Sequence, residues 1–176
     1  MIPPTHLSNL KTVQSVISSL PRIEAGQTDI NDALHTACKL SLLNLRRIKA
    51  SKPGGTWRDW TPDLRALCHT KKSGETYPSV YGRMQWEAPA PTITTQCYGF
   101  GNGRFGHPEQ NRAISLREAA MIQTFPENYQ FIPPNTRAKF NTLGRLIGNA
   151  VPVRIGKIVA DSLTQHVKTV FNTNRV

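Results

Sequence analysis

The chain has three cysteines, the residues best suited to nucleophilic or metal chemistry, but their spacing supplies no partners. Cys38, Cys68 and Cys97 form an odd set without a C-x-x-C pair. Each has a single histidine within ten residues, which is too few ligands for a zinc site. We therefore predict neither a disulfide framework nor a metal centre, and we assign no catalytic residue.

A glycine pattern also matches a ligand-binding loop, but the residues around it do not fit one. Residues 101–106 read Gly-Asn-Gly-Arg-Phe-Gly and satisfy G-x-G-x-x-G. A dinucleotide loop needs a buried strand before the pattern and a helix that opens within it. Here His107-Pro108 follows, and Cys97-Tyr98 is not a buried apolar run. The glycines are more typical of a mobile loop or of backbone that lies close to DNA.

The charge balance indicates a polyanionic partner. The chain carries 22 Lys+Arg against 11 Asp+Glu, a formal net charge of +11, so nucleic acid is the expected ligand. The segment from Lys39 to Arg58 contains no acidic residue. Its leucines predict an amphipathic helix with a cationic face, on which Arg46 and Arg47 are candidates for phosphate contact. A solvated basic face is the alternative.

The elements that must position these residues change along the chain. Apolar spacing predicts a helix over residues 1–20, ended by Pro21, and the basic helix ends at Lys52-Pro-Gly-Gly55. From Thr56 to Phe105 aromatic residues, Gly, Pro and Thr replace the helical pattern. Short strands are predicted at 77–81 and 92–98. The three tryptophans are predicted to fill the core of a small β-rich module.

The last third of the chain predicts three helices. Ser115 and Glu118 form a capping box for a helix that begins at Leu116 and must end before Pro126. A second helix is predicted from about Thr136 to Ile147, with Gly148 as its C-terminal stop. Pro152 suits the first position of a third helix. In isolation that helix would leave Ile155, Ile158 and Val159 partly uncovered.

The segment 112–126, followed by Gly148-Asn-Ala-Val-Pro152, resembles the ninth and tenth motifs of the DNA cytosine-5 methyltransferases. Pro89-Ala-Pro-Thr-Ile93 resembles the Pro-x-x-Thr-(Leu/Ile/Val) signature of that family's target-recognition region. The resemblance implies that Thr92 and Ile93 lie near the DNA backbone and a flipped nucleotide. Arg83 and Arg104 are further candidates for base or phosphate contact, because an arginine fork can bind guanine.

The same resemblance implies a methyl donor, S-adenosylmethionine. In the family the helix of the tenth motif packs against the cofactor domain, and its Asn-x-Val stretch lines the methionine end of the cofactor. Asn149, Ala150 and Val151 are therefore the cofactor-side candidates. Backbone N–H groups at the start of the third helix would also suit a carboxylate.

The family's catalytic motifs do not occur in these 176 residues. The three cysteines follow Ala37, Leu67 and Gln96, so there is no Pro-Cys pair, and no Phe-x-Gly-x-Gly loop is present. Glu127-Asn128 matches Glu-Asn-Val for two residues but continues to Tyr129 at a helix exit, where a turn is predicted. We expect a second chain or a missing N-terminal region to carry the catalytic part, and the cofactor to bind only with it.

These observations give an α+β expectation: a small irregular β-rich target-recognition module flanked by helices that complete a Rossmann-like methyltransferase lobe. Its expected parts are an N-terminal helix (1–20), the recognition region (21–111), a C-terminal helical segment (112–168) and a tail (169–176). The expected function is the DNA-recognition part of a restriction-modification type cytosine-5 methyltransferase. The alternative is a stand-alone DNA-binding module. Without a long apolar segment or signal peptide, the chain is expected to be cytoplasmic.

Overall fold

The computed structural model describes residues 10–133 and 139–173, and of residues 172 and 173 only the backbone. In this part of the chain the α-helices are α1 (Val13–Ile17), α2 (Leu42–Ala50), α3 (Leu116–Ile122), α4 (Phe140–Asn149) and α5 (Val153–Thr173). Short 3-10 helices lie at Trp57–Asp59, Pro62–Leu64, Leu67–Thr70, Lys72–Thr76 and Phe100–Asn102. No helix in the described ranges is long and apolar enough to cross a membrane.

The strands predicted at 77–81 and 92–98 do not form. Both segments are turns and irregular chain, because their backbone groups pair locally: Gly82 N–H donates to Ser79 and Cys97 N–H donates to Thr94. Tyr81 also has a φ of 58°, outside the extended region. Isolated bridges, including Arg83 with Gly106 and Gly106 with Ala113, are the β-pairing in the described recognition region. The Rossmann-like α+β class stays a prediction.

Helix α1 is shorter than the helix predicted over residues 1–20, of which 1–9 lie outside the described residues. Thr12 caps it by accepting from Ser15 N–H. The backbone N–H groups of Val13 and Gln14 donate to carbonyl oxygens of residues 88 and 86. The helix start is therefore attached to the chain that leads into the Pro89–Ile93 signature.

The predicted basic helix is present as α2, but its faces differ from the prediction. Ser41 caps the helix, and Ser51, at its C-terminal cap, adopts an extended conformation next to Lys52-Pro-Gly-Gly55. Ile48 is fully buried, whereas Leu42 is 85% exposed and Arg47 is buried. Arg47 faces inward because it packs against the tryptophan cluster described below.

Two hydrophobic clusters organise the fold. The main core joins α1, α3 and α4 with residues from the recognition region, including Met84, Ile93, Cys97 and Phe105. A second cluster forms around Ile48, Trp57, Trp60, Leu64 and Phe100. The core-filling prediction is confirmed for Trp57 and Trp60, while Trp86 is half-buried against the main core.

Helices α3 and α4 follow the prediction with one change in the role of a glycine. The Ser115/Glu118 capping box is present and α3 ends at Ile122, before Pro126. Residues 134–138, where α4 was predicted to begin, lie outside the described residues. Gly148 is inside α4, so its role as a C-terminal stop is wrong. It allows close packing: a Cβ there would lie 2.2 Å from the Thr94 carbonyl oxygen.

Helix α5 begins one residue after Pro152 and runs into the segment predicted as a tail. Large apolar side chains along it are exposed, at Ile155, Val159, Leu163, Val167, Val170 and Phe171. Their spacing of mostly four residues forms a continuous row that turns about 40° around the helix at each step. The expectation that Ile155, Ile158 and Val159 are partly uncovered is confirmed.

Gly148→Ala should destabilise the fold by roughly 1–3 kcal/mol, because its Cβ meets backbone that cannot move away cheaply. The matched control is Gly156→Ala on α5, where an added Cβ meets nothing within 4 Å. That substitution should be neutral or stabilising by up to about 1 kcal/mol. Urea unfolding of both variants measures the difference, and equal stabilities would contradict the close-packing role.

Candidate nucleic-acid and cofactor interface

A cleft of about 380 Å³ brings together the segments that the sequence analysis singled out. Its walls come from the start of α1, the Pro89–Ile93 signature, the end of α3 and the start of α5. The polar side chains around it belong to Lys11, Thr12, Thr92, Gln123 and Thr124. One surface thus joins residues that are more than 140 positions apart in the chain, from Lys11 to Ile155.

Thr92 and Ile93 hold different positions at this cleft. Thr92 is exposed, so its hydroxyl can reach a ligand, whereas Ile93 is buried in the main core and contributes only wall. Of the pair, Thr92 is the residue that could offer a polar contact to a nucleotide.

The junction between α4 and α5 is clamped by the two residues that follow α3. The Gln123 side-chain amide donates to the carbonyl oxygens of Ile147 (3.1 Å) and Ala150 (2.9 Å). In return Val153 N–H donates to the Gln123 carbonyl oxygen at 3.2 Å. Sequence reasoning missed Gln123 and its neighbour Thr124; a polar pair between a helix end and Phe125-Pro126 was the available signal.

These contacts show that the start of α5 is not a free anion site, so that expectation is wrong. Arg154 N–H donates to the Thr124 hydroxyl oxygen, and the next two amides donate to the Pro152 carbonyl oxygen. The amides that a carboxylate would need are already used. Thr124 adopts a φ of 63° in making this contact.

The cofactor-side candidates 149–151 fit a polar ligand through Asn149 instead. Asn149 and Val151 are exposed, while Ala150 is half-buried and donates its N–H to Ile147. The Asn149 side-chain oxygen accepts a hydrogen bond from the Thr95 hydroxyl at 2.7 Å. No described residue accepts from the Asn149 side-chain NH₂, so its donors suit a carboxylate or carbonyl group.

A buried ion pair fixes the start of α3 behind the cleft. Arg112 binds Glu118 through two hydrogen bonds of 2.7 Å each, and both side chains are about 1% exposed or less. Glu118 also accepts from Ser115 N–H at 2.6 Å. Burial by itself would raise the pKa of Glu118, but hydrogen bonds and charge from Arg112 outweigh it and hold the pKa below its ordinary value.

His107 lies beside this ion pair as a neutral residue. Its Nδ1 accepts from the backbone N–H groups of Glu109 and Gln110 at 3.1 and 2.9 Å. Burial lowers its pKa from 6.5 to about 3, more than the nearby Glu118 carboxylate can offset. A proton added to Nδ1 would face these two N–H donors, which agrees with a neutral His107.

Arg83 is part of the interior, which contradicts its prediction as a base or phosphate contact. It is 4% exposed, and burial lowers the pKa of its guanidinium. Its acceptors are the carbonyl oxygens of Ile48, Ser51, His107 and Gln110 and the side-chain oxygen of Asn111. With these donors used, none is directed at a guanine, and Arg83 ties α2 to the loop before α3.

The other arginine candidates divide in the same way. Arg47 is buried, donates to the Leu64 carbonyl oxygen at 2.8 Å and lies over the rings of Trp60 and Tyr81. Arg47 is therefore also structural, which contradicts its prediction as a phosphate contact. Arg46 is exposed and pairs with Asp63 at 2.8 Å.

Arg104 is half-buried and donates to the Gly55 carbonyl oxygen at 2.6 Å. Arg46 and Arg104 remain candidates.

Two of the three cysteines lack the features of a catalytic thiol. Cys97 is fully buried, and burial raises the pKa of its thiol to about 11. Burial also raises the pKa of Cys38, which disfavours the reactive thiolate. Cys68 is exposed on a 3-10 helix. Within the described ranges no group of three or more His, Cys, Asp or Glu could hold a metal ion.

The structure agrees that Glu127-Asn128 and the G-x-G-x-x-G segment only resemble functional motifs. Residues 127–128 form a turn, with Tyr129 N–H donating to the Pro126 carbonyl oxygen. The G-x-G-x-x-G segment begins within a 3-10 helix, has no strand before it and places Phe105 in the main core. Neither segment has the geometry of a catalytic or dinucleotide-binding loop.

Comparison with known proteins places the sequence in a family. A family model described as C-5 cytosine-specific DNA methylase matches residues 2–165. The type II methylase M.HgiDII of Herpetosiphon aurantiacus is 55% identical over 177 residues, covering 100% of this chain and 50% of that protein. The type II methyltransferase M1.BsuMI of Bacillus subtilis is 38% identical over 130 residues, covering 74% and 29% respectively.

A plant relative, DNA (cytosine-5)-methyltransferase 3 of Arabidopsis thaliana, is 35% identical over 167 residues, covering 80% of this chain and 12% of that protein. The chain belongs to the C-5 cytosine-specific DNA methylase family. It spans half or less of the length of these relatives.

Arg83→Met should lower the free energy of unfolding by about 3 kcal/mol or more, because several buried carbonyl oxygens lose their donor. Arg46→Met is the matched control: this exposed arginine should be replaceable with little loss of stability. Chemical denaturation of both variants provides the measurement. If Arg83→Met were as stable as the parent chain, the interior role would be wrong.

Stability should fall as pH drops from about 6.5 toward 3, because the unfolded chain protonates His107 while the folded chain, with a pKa of about 3, does not. The slope from this one group is at most about 1.4 kcal/mol per pH unit. His107→Asn, which keeps a side-chain acceptor, should show a shallower loss between pH 7 and 5. His166→Asn on exposed α5 is the control; an unchanged slope in His107→Asn would contradict the assignment.

Proposed function

We propose that this chain is the DNA-recognition and cofactor-lobe-completing part of a DNA (cytosine-5-)-methyltransferase. The whole enzyme would transfer the methyl group of S-adenosylmethionine to C5 of cytosine in duplex DNA. The catalytic cysteine belongs to polypeptide outside these 176 residues, either a second chain or a preceding region.

The observation that carries this proposal is the cleft at the α3–α5 junction. It unites the Pro89–Ile93 signature, the residues after α3 and the start of α5 on one surface. A reaction between a base and a methyl donor needs both to meet in one place. The apolar and polar lining suits a partly enclosed organic ligand more than a flat electrostatic contact with duplex DNA.

The chemistry of cytosine-C5 methylation supports placing the nucleophile elsewhere. The family's reaction requires a thiolate to add to C6 of a base taken out of the stack. A fully buried thiol with a pKa of about 11, as at Cys97, is unsuited to that step. The methyl group itself is supplied by S-adenosylmethionine when it is bound.

The uncovered side of α5 is the surface we assign to the remaining part of the enzyme. Six large apolar residues, from Ile155 to Phe171, are at least 40% exposed along this helix. Isolated exposed apolar side chains are ordinary, but a continuous row along a helix indicates an interaction surface. A cofactor-binding lobe that packs there would be held next to Asn149, at the end of α4, and Val151, just before α5 begins.

Contacts to the DNA backbone are assigned to exposed and half-buried cations of the recognition region. Arg46 and Arg104 keep this role, and Thr92 is assigned to the nucleotide in the cleft. Lys49 and Lys52 are exposed in the same basic segment as Arg46. Phosphate contacts of this kind position DNA and make affinity fall with salt.

Complementation tests the proposal. The chain alone should not transfer labelled methyl groups from S-adenosylmethionine to duplex DNA. Activity should appear when it is mixed with the half of the Herpetosiphon aurantiacus methylase that this chain does not match. That half alone is the negative control. A variant with Cys38, Cys68 and Cys97 replaced by alanine should still complement, because the thiol comes from the other part.

Two results would count against the proposal. Methyl transfer by the pure chain would show that its own residues carry the chemistry. Sequence-selective DNA binding without rescue of activity by any such partner would favour the alternative, a stand-alone DNA-binding module. Competition between duplexes of different sequence at moderate salt separates that case from non-specific attraction to phosphate.

A further inference from the structure

A hydrogen bond links the recognition segment directly to the cofactor-side segment. The Thr95 hydroxyl donates to the Asn149 side-chain oxygen at 2.7 Å, across 54 positions of sequence. Thr95 lies three residues after Thr92, just beyond residues 89–93, which line the cleft. The contact therefore connects the part assigned to DNA with the part assigned to the methyl donor.

Close backbone packing holds the two partners of this bond in register. A Cβ on Gly148 would lie 2.2 Å from the Thr94 carbonyl oxygen and 2.9 Å from Thr95 Cα. The end of α4 thus lies directly against the peptide between Thr94 and Thr95. A shift of either segment would be transmitted to the other, since closely packed backbone cannot absorb it.

The bond also determines which end of the Asn149 amide faces outward. Its oxygen is used by Thr95, while its NH₂ group has no acceptor among the described residues. An amide held in this way presents two donors toward an incoming carboxylate or carbonyl oxygen. A freely rotating amide would present either end and would lose orientational freedom on binding.

We propose that Thr95 is a positioning residue that orients Asn149 for the methyl donor and couples its binding to occupancy of the DNA-recognition segment. This inference rests on the proposed function. Thr95 does not itself contact the cofactor; it acts through Asn149. Any ligand that moves residues 92–95 changes the orientation of the Asn149 amide, so the two binding events are linked.

The test uses the complemented enzyme and compares Thr95→Val, Thr95→Ser and Thr94→Val. Thr95→Val should raise the equilibrium Kd for S-adenosylmethionine about 2- to 10-fold, the range that follows from losing one hydrogen bond. Thr95→Ser should restore binding, because it keeps the hydroxyl. Thr94→Val is the matched control. Thr94 is the exposed neighbour of Thr95, and its side chain has no hydrogen-bond partner among the described residues.

Kinetics and linkage supply readouts that a purely structural role would not move. Thr95→Val should raise the KM for S-adenosylmethionine more than it lowers kcat. Saturating duplex DNA should change the cofactor Kd less in Thr95→Val than in the parent enzyme. Asn149→Asp keeps the acceptor for Thr95 but removes both donors, and adding Thr95→Val to it should produce little further loss.

The outcomes separate this inference from the function on which it rests. If the parent complex transfers no methyl groups and binds no S-adenosylmethionine, both fall. If the parent complex is active and Thr95→Val binds the cofactor like the parent, or if Thr94→Val shows the same loss, only the positioning role is overturned. A loss of thermal stability in Thr95→Val without a change in Kd would also overturn it.

Discussion

The buried pair of Arg112 and Glu118 is the interaction on which the arrangement around the cleft depends. Arg112 also donates to the Ile23 carbonyl oxygen and the Gln110 side chain, and Glu118 caps α3 through Ser115 N–H. Breaking such a pair by removing one partner typically costs about 3–5 kcal/mol, because a buried charge is left uncompensated. The pair thereby holds α3 to the segment that follows α1.

From this anchored helix the cleft is built by short-range contacts. His35 lies within hydrogen-bond distance of Ser115 and of the Pro21 carbonyl oxygen, so the start of α3 also holds residues 21–35. At the other end Gln123 and its neighbour clamp the α4–α5 junction. The recognition segment, α3 and the start of α5 therefore pack against one another, whereas the rest of α5 is exposed.

Much of the C-terminal region was predictable because its signals are local. The capping box at Ser115, the end of α3 before Pro126 and the start of α5 near Pro152 each depend on neighbouring residues alone. The burial of Trp57 and Trp60 was predictable from the large apolar surface of tryptophan. The exposure of the cationic candidates could not be predicted in this way. Arg46 and Arg47 are adjacent and identical in type, yet Arg46 is exposed and Arg47 is buried.

The sequence by itself determined the family resemblance, the helix boundaries set by caps and prolines, and the lack of a Pro-Cys nucleophile. Only the tertiary structure decided which arginines are interior crosslinks, that residues 77–81 and 92–98 form turns and irregular chain, and that Thr95 meets Asn149. The physical reason is that these outcomes depend on partners far along the chain. A guanidinium such as that of Arg83 turns inward only where folding has gathered carbonyl oxygens to receive it.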